Sequence, residues 1–320
     1  MHCPLCLATR TTFFATGTDF LFETTGKTFD LHSCSECGCL FLEPMPGAEE
    51  IAAFYPTQYW WDRSPGGALR NLEATYRRLA LVDHVWFIAR AARTTVPSGG
   101  ARILDVGCGP ATVLGLLKEK GFDVSGVDLS ARAAEIAARD YGIDVAVGSV
   151  QEADFPSDEF DVVVLLHVLE HVPNPRDVLK EIFRILKPNG RVVLQVPNID
   201  SLQFRFFGVR WYGLDVPRHL IDYSRSSMLR LLRSCGFADQ RIRHFNLRDN
   251  APALASSLFP GLDPVSRAVR LESRNGREST LGSWWRHLVY LKLVIAAYPL
   301  AALEAALGRG ATLMIEARKT

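Results

Sequence analysis

Two pairs of cysteines, Cys3-Pro4-Leu5-Cys6 and Cys34-Ser35-Glu36-Cys37, stand near the start of the chain. A two-residue gap lets both sulfurs of a turn face one tetrahedral ion, and two such turns fill its coordination sphere. The spacing predicts a structural zinc held by Cys3, Cys6, Cys34 and Cys37, with Cys39 as a spare thiol beside the second pair. A second signal is Ile103-Leu104-Asp105-Val106-Gly107-Cys108-Gly109-Pro110, an apolar run entering a glycine turn, with Asp128 closing the next apolar run after Val124-Ser125-Gly126-Val127. Glycines there permit a tight turn and close approach to a ligand, and a helix from about Ala111 aims free N–H groups at the same spot. A carboxylate at the position of Asp128 can grip both hydroxyls of a ribose, so the pattern reads as a nucleotide-cofactor pocket. Thr112 stands where a dinucleotide fingerprint needs its third glycine, which argues against a nicotinamide cofactor.

His167, Glu170 and His171 have the spacing of an inverted zinc-protease helix. They follow a strand, however, and Pro173 stops any helix at once, so that reading is disfavoured. His167, at a strand end facing the pocket, is a candidate for cofactor contact or general base; His171 is more simply a structural hydrogen-bonding residue. Farther on, Trp211-Tyr212-Gly213 and Pro217-Arg218-His219-Leu220 offer His219 as a base and Arg218 as a ligand for phosphate or carboxylate.

The segment Leu104-Asp105-Val106-Gly107-Cys108-Gly109 resembles the first motif of the class I S-adenosylmethionine-dependent methyltransferases. Asp161 to Leu166, Leu169-Glu170-His171-Val172 and Leu186-Lys187-Pro188-Asn189-Gly190 are similar to that family's later segments, so the likeness covers about residues 101–198. It implies S-adenosylmethionine as cofactor, with Asp105, Gly107, Cys108 and Gly109 at the methionine part, Asp128 at the ribose, and Val150 and Gln151 beside adenine. Leu129 is expected either on the adenine face or in the core. Ser149 departs from the family, which commonly has an acidic residue there. The cysteine-rich start resembles methyltransferases of bacterial polysaccharide and secondary-metabolite clusters, including sugar C-methyltransferases. Some quinone-type O-methyltransferases have a similar acidic and histidine cluster, which implies a divalent ion as one use for His167, Glu170 and His171.

These residues need elements to position them. Apolar runs near 102–106, 124–128, 144–147, 160–166 and 191–196 alternate with helical patterns near 111–120, 130–140 and 176–186. Such alternation predicts an α/β fold, a parallel Rossmann-like sheet with its ligand at the carboxyl ends of the strands. A helix over 225–235, a sixth strand over 241–245 and a seventh over 312–317 follow; the resemblance implies that the seventh runs antiparallel beside the fifth. The expected organisation is a zinc-ribbon-like module over 1–45, a linker and amphipathic helix over 46–100, and a seven-stranded methyltransferase domain over 101–320 with a helical insertion at about 246–310. The linker holds Phe54, Tyr55, Tyr59, Trp60 and Trp61, read as glue between module and domain rather than as a substrate platform. Its helix carries an apolar stripe of Leu69, Leu72, Tyr76, Leu79, Val82 and Trp86.

The 320 residues, 48% apolar, can fill a large core. Thirty-six basic and 35 acidic residues leave a net charge of +1, so no global field draws the chain to nucleic acid. Met1-His2-Cys3-Pro4 lacks the pattern of a signal peptide, so a cytoplasmic location is expected, alternatively on the inner face of the membrane. The apolar run Leu288 to Leu303 is too short to cross a bilayer as a helix. With Trp284 and Trp285 before it, residues 284–303 are expected to form a buried or dimer-forming helix, or else a peripheral membrane contact. The expected activity is methyl transfer to a small molecule, a sugar nucleotide, glycan or lipid-linked intermediate. The alternatives are an RNA or protein methyltransferase using the cysteine module as a reader, and a non-catalytic binder of the cofactor.

Overall fold

The computed structural model describes residues 2–55, 78–273 and 280–320. Its first unit is an antiparallel sheet of β1 (Thr11–Thr18), β2 (Thr28–Cys34) and β3 (Leu40–Leu42), in which Thr11 lies opposite Cys34 and Leu31 opposite Leu42. The hairpin expected between the cysteine pairs is therefore the β1–β2 ribbon. After α1 (Ala48–Ala53), Phe54 is buried and meets Phe29 of the cysteine-bearing unit edge-on at 5.6 Å, while the Tyr55 hydroxyl reaches His171 Nδ1 at 2.8 Å, so these two rings link unit and domain as expected. Tyr59, Trp60 and Trp61 lie outside the described residues.

The next helix is α2 (Val82–Thr95). Leu69, Leu72 and Tyr76 of its expected stripe are outside the described residues, whereas Leu79, Val82 and Trp86 are exposed. The face it buries is instead Val85, Ile88, Ala89 and Ala92, because Val162, Val164 and Val193 of the central sheet supply its apolar partner.

That sheet comprises β4 (Arg102–Val106), β5 (Asp123–Asp128), β6 (Val145–Val147), β7 (Phe160–Leu166) and β8 (Leu186–Pro197), joined by α3 (Thr112–Lys118), α4 (Ala131–Tyr141) and α5 (Pro175–Ile185). β7 reads as one apolar run because both of its faces are covered. Ser130 caps α4 by accepting from the Ala133 N–H, and Pro175 opens α5, where a missing N–H costs nothing. After α6 (Leu202–Phe207), the short β9 (Ile221–Asp222) and α7 (Arg225–Ser234), β10 (Phe237–Arg243) begins four residues earlier than expected, directly behind Gly236, whose φ of +89° reverses the chain. The helices α8 (Asn250–Leu258), α9 (Pro264–Ser273) and α10 (Thr280–Ala306) precede β11 (Thr312–Lys319).

The strand order is β10-β11-β8-β7-β4-β5-β6, with β11 antiparallel to both neighbours. This is the Rossmann-like seven-stranded sheet expected from the sequence. β9 does not join it. It adds as a fourth strand to the cysteine-bearing sheet, with Leu40 opposite Asp222 and Phe41 opposite Ile221, and one apolar core runs from Cys34 and Phe41 through Leu220 and Tyr223 to Leu194.

Candidate functional site

The tips of β4, β5 and β7 bring the glycine turn, Asp128 and His167 together, since parallel strands deliver their carboxyl ends to one edge. Gly107 and Gly109 both adopt positive φ, +70° and +51°. A Cβ on Gly107 would sit 2.6 Å from Val168 Cγ2, so only glycine lets this turn lie against the residues after β7. A Cβ on Gly109 would meet nothing within 4 Å, leaving open space over its backbone. Asp128 spans the turn: one carboxylate oxygen accepts from Gly109 N–H and the other from Ser130 N–H, each at 2.8 Å.

Asp105 is buried, and its Oδ1 has no hydrogen-bond partner. Burial, with the Asp128 carboxylate nearby, pushes its pKa up to about 8. An orphaned acid beside an open glycine turn fits a ligand that brings cationic groups and ribose hydroxyls, as S-adenosylmethionine does. Leu129 is exposed, against the core alternative, and stands free beside Asp128. Val150 is buried and Gln151 exposed. A carboxylate does reach Ser149, from three residues downstream: Glu152 accepts from its N–H at 2.8 Å and its hydroxyl at 2.7 Å.

His167 lies at the centre of a polar network. Its Nδ1 is 2.9 Å from Glu170 Oε1; its Nε2 is 2.7 Å from Gln195 Nε2 and 3.4 Å from Asp249 Oδ2, which also accepts from Gln195 at 2.6 Å. Burial favours the neutral ring, but Asp249 and then Glu170 outweigh it and raise the His167 pKa to about 9. The amide of Gln195 pointing N–H at Nε2 suits the neutral ring; turned over, its unpartnered Oε1 would accept from the imidazolium instead. Behind Asp249 stands fully buried His84, with Nε2 3.8 Å away and Nδ1 3.0 Å from Asp83. Asp83, His84, Gln195 and Asp249 carry no recognisable motif; three elements far apart in the chain bring them to His167.

Glu170, His171 and His219 form a second group, with donor atoms within 4.8 Å of one another. Glu170 is fully buried; burial raises its pKa, but His167 outweighs this and holds it below the usual range. Its Oε2 has no hydrogen-bond partner. The two imidazoles meet edge-on at 4.7 Å. Burial, aided by the His219 charge, lowers the His171 pKa to about 4, so this ring is neutral. Burial also opposes charge on His219, whose pKa is nonetheless raised by Asp222, 3.6 Å from its Nδ1. Glu170 Oε2 and the two rings offer enough donors for a divalent cation.

Arg218 and Trp211 do not serve a substrate loop. Arg218 is fully buried, with Asp19 at 2.7 Å, Asp215 at 2.6 Å and the Phe22 ring at 4.4 Å, so its fork is consumed within the protein. Trp211 is a core residue donating to Gln203 at 3.3 Å.

At the other end of the shared core, Cys3, Cys6, Cys34 and Cys37 converge with all sulfurs within 4.8 Å, and the Cys3–Cys37 and Cys6–Cys34 distances are 3.6 and 3.5 Å. Four thiolates on a zinc at about 2.3 Å stand roughly 3.8 Å apart, so the set fits that ion. Cys39 touches Cys3 and Cys37 at 3.5 Å, consistent with a spare thiol behind the cluster.

Comparison with known families matches residues 74–242 to a methyltransferase domain. A ubiquinone biosynthesis O-methyltransferase of Thiobacillus denitrificans is 30% identical over 209 residues, covering 61% of this chain and 85% of that one. The mitochondrial ubiquinone biosynthesis O-methyltransferase of Schizosaccharomyces pombe is 35% identical over 143 residues, 42% of this chain and 49% of that one. A solved structure of a possible histamine N-methyltransferase from Thermotoga maritima is 18% identical with a TM-score of 0.45, covering 78% and 97% of the two chains.

Proposed function

Because this chain belongs to the S-adenosylmethionine-dependent methyltransferases that act on small molecules, we propose that it methylates a hydroxyl of a sugar nucleotide, glycan or lipid-linked intermediate, with a structural zinc in its cysteine module. The observation that carries the reading is the 2.6 Å approach a Cβ on Gly107 would make to Val168, which sets the cofactor turn directly against the His167–His171 segment. The two relatives are O-methyltransferases, which supports an oxygen acceptor. S-adenosylmethionine supplies an electrophilic methyl group when bound.

The chain's own residues do the rest. Gly107 and Gly109 admit the ligand to the backbone, Asp105 and Asp128 face its polar groups, and Leu129, Val150 and Gln151 border its base. A hydroxyl needs its proton removed as it attacks, and a neutral imidazole is the side chain for that at neutral pH. His219 takes this role in our reading in its unprotonated form: Asp222 beside it raises its pKa and so favours the imidazolium once the proton has moved, and neutral His171 meets it edge-on. His167 is the polar anchor beside the turn, holding its own proton between Glu170 and Asp249.

The test incubates purified chain and labelled S-adenosylmethionine with a phenol, sugar-nucleotide and lipid-linked panel, following products by mass spectrometry. A methyl ether on a sugar-nucleotide or lipid-linked acceptor that His219→Ala reduces at least about a hundredfold, with cofactor affinity kept, supports the reading, whereas methylation of the phenol alone overturns its acceptor class. Label passing only to RNA or protein, or cofactor bound without turnover on any acceptor, overturns it.

A further inference from the structure

Helix α10 is built inside out. Its core side is made of small residues, Ala297 and Ala301, with Val294 and the acid Glu304, whereas Trp284, Trp285, Leu288, Leu291, Ile295, Leu300 and Leu303 face solvent at 44–64% exposure. Only 22% of the most apolar eighteen residues within Gly282–Ala306 are buried, so of the expected alternatives the buried helix is not what the chain forms. Glu304 fixes α10 to α6 by accepting from the Gln203 backbone and side chain, both at 2.9 Å. Leu202 and Phe206 of α6, the latter 80% exposed, add exposed apolar side chains on the helix so tied to α10. The ionic side chains exposed on these two helices and the turn after α10 are all basic: Arg205, Arg286, Lys292 and Arg309. Their acid, Glu304, is turned inward.

We propose that the outer faces of α10 and α6 form a peripheral docking surface for an anionic phospholipid bilayer. An apolar stripe of this size with a basic rim complements acyl chains below and anionic headgroups around it, and the tryptophan pair at one end suits the interfacial layer. A second copy fits less well, because two-fold pairing would gather the basic side chains of both copies into one buried patch. Helix α10 is in fact long and apolar enough to cross a bilayer, against the expectation from the run Leu288 to Leu303 alone, but Ala297, Ala301 and Val294 pack on Ala251 and Ala255 of α8, contacts that insertion would break. α8 starts beside Asp249 at the His167 network, so the docked surface lies one helix away from the site.

Co-sedimentation of the full chain with vesicles tests this, comparing phosphatidylcholine alone with phosphatidylcholine containing phosphatidylglycerol. Wild-type protein should bind the anionic vesicles and be released by salt. Lys292→Glu should weaken binding at least roughly fivefold, and Ile295→Glu with Leu303→Glu should abolish it while the melting temperature and cofactor affinity stay unchanged. Folded wild-type protein that ignores anionic vesicles overturns the proposal, as does undiminished binding by the double variant. So does a wild-type dimer, seen by light scattering, that these substitutions dissolve when no vesicle binding occurs.

Discussion

Replacing Arg218 by leucine should unfold the protein from its seam. The guanidinium has no solvent exposure and lies between the carboxylates of Asp19, from the β1–β2 connection, and Asp215, from the loop before β9. Leucine leaves two carboxylates in the interior without their cation, a loss of about 3–5 kcal/mol. For a chain of this length that lowers the melting temperature by about 4–8 °C. The pH dependence gives an independent check. Burial alone would raise the Asp19 pKa, but Arg218 outweighs it and holds the carboxyl below its ordinary value. A depressed carboxylate stabilises the fold above its unfolded pKa, and that contribution disappears as pH falls through the folded pKa. In Arg218→Leu the unpaired acid regains its proton readily, so the gap between wild type and variant should narrow from pH 7 to pH 4. Thermal unfolding followed by circular dichroism reads both effects. A variant melting within about 2 °C of wild type at pH 7, or a gap that widens on acidification, would refute the assignment of Arg218 as the internal tie.

Asp105, with its pKa near 8, is mostly protonated at pH 7; if the cationic cofactor ionises it, binding should release up to about 0.9 proton and tighten between pH 6 and pH 8. Calorimetry in phosphate and in Tris would then give different enthalpies, and equal values would discard the link. Asp249→Asn removes the first carboxylate that raises His167, so that ring should lose its proton roughly 1–2 pH units lower by imidazole NMR; an unmoved titration sinks the network. Purified chain should carry about one zinc and Cys34→Ser close to none, and metal analysis finding no zinc in the wild type rules out the tetrathiolate site.

The central sheet was legible because its strands announce themselves twice, as apolar runs and as turns with glycine, and Ile103 to Gly109 does both. The cysteine set was legible for a similar reason, since the two-residue gaps are local. Arg218 shows the limit. Its type and loop position suggest a ligand for an anion, and nothing near it reveals that Asp19, most of the chain away, has already taken the charge. Asp249 and His84 were invisible on the same ground, each an ordinary residue at a helix start until the fold sets them beside His167. The stripe of α2 failed differently: spacing identifies a helix, but its neighbours decide which face is inside.

The pairing of β3 with β9 joins what the chain order keeps separate. Three strands of the cysteine-bearing sheet come from the head of the chain and the fourth comes from residues just past His219. A catalytic half expressed without its head would therefore expose a raw hydrogen-bonding edge at Ile221, next to the histidine it must hold still. Swapping heads between relatives in search of new acceptors would have to carry this strand along, or the graft would not take.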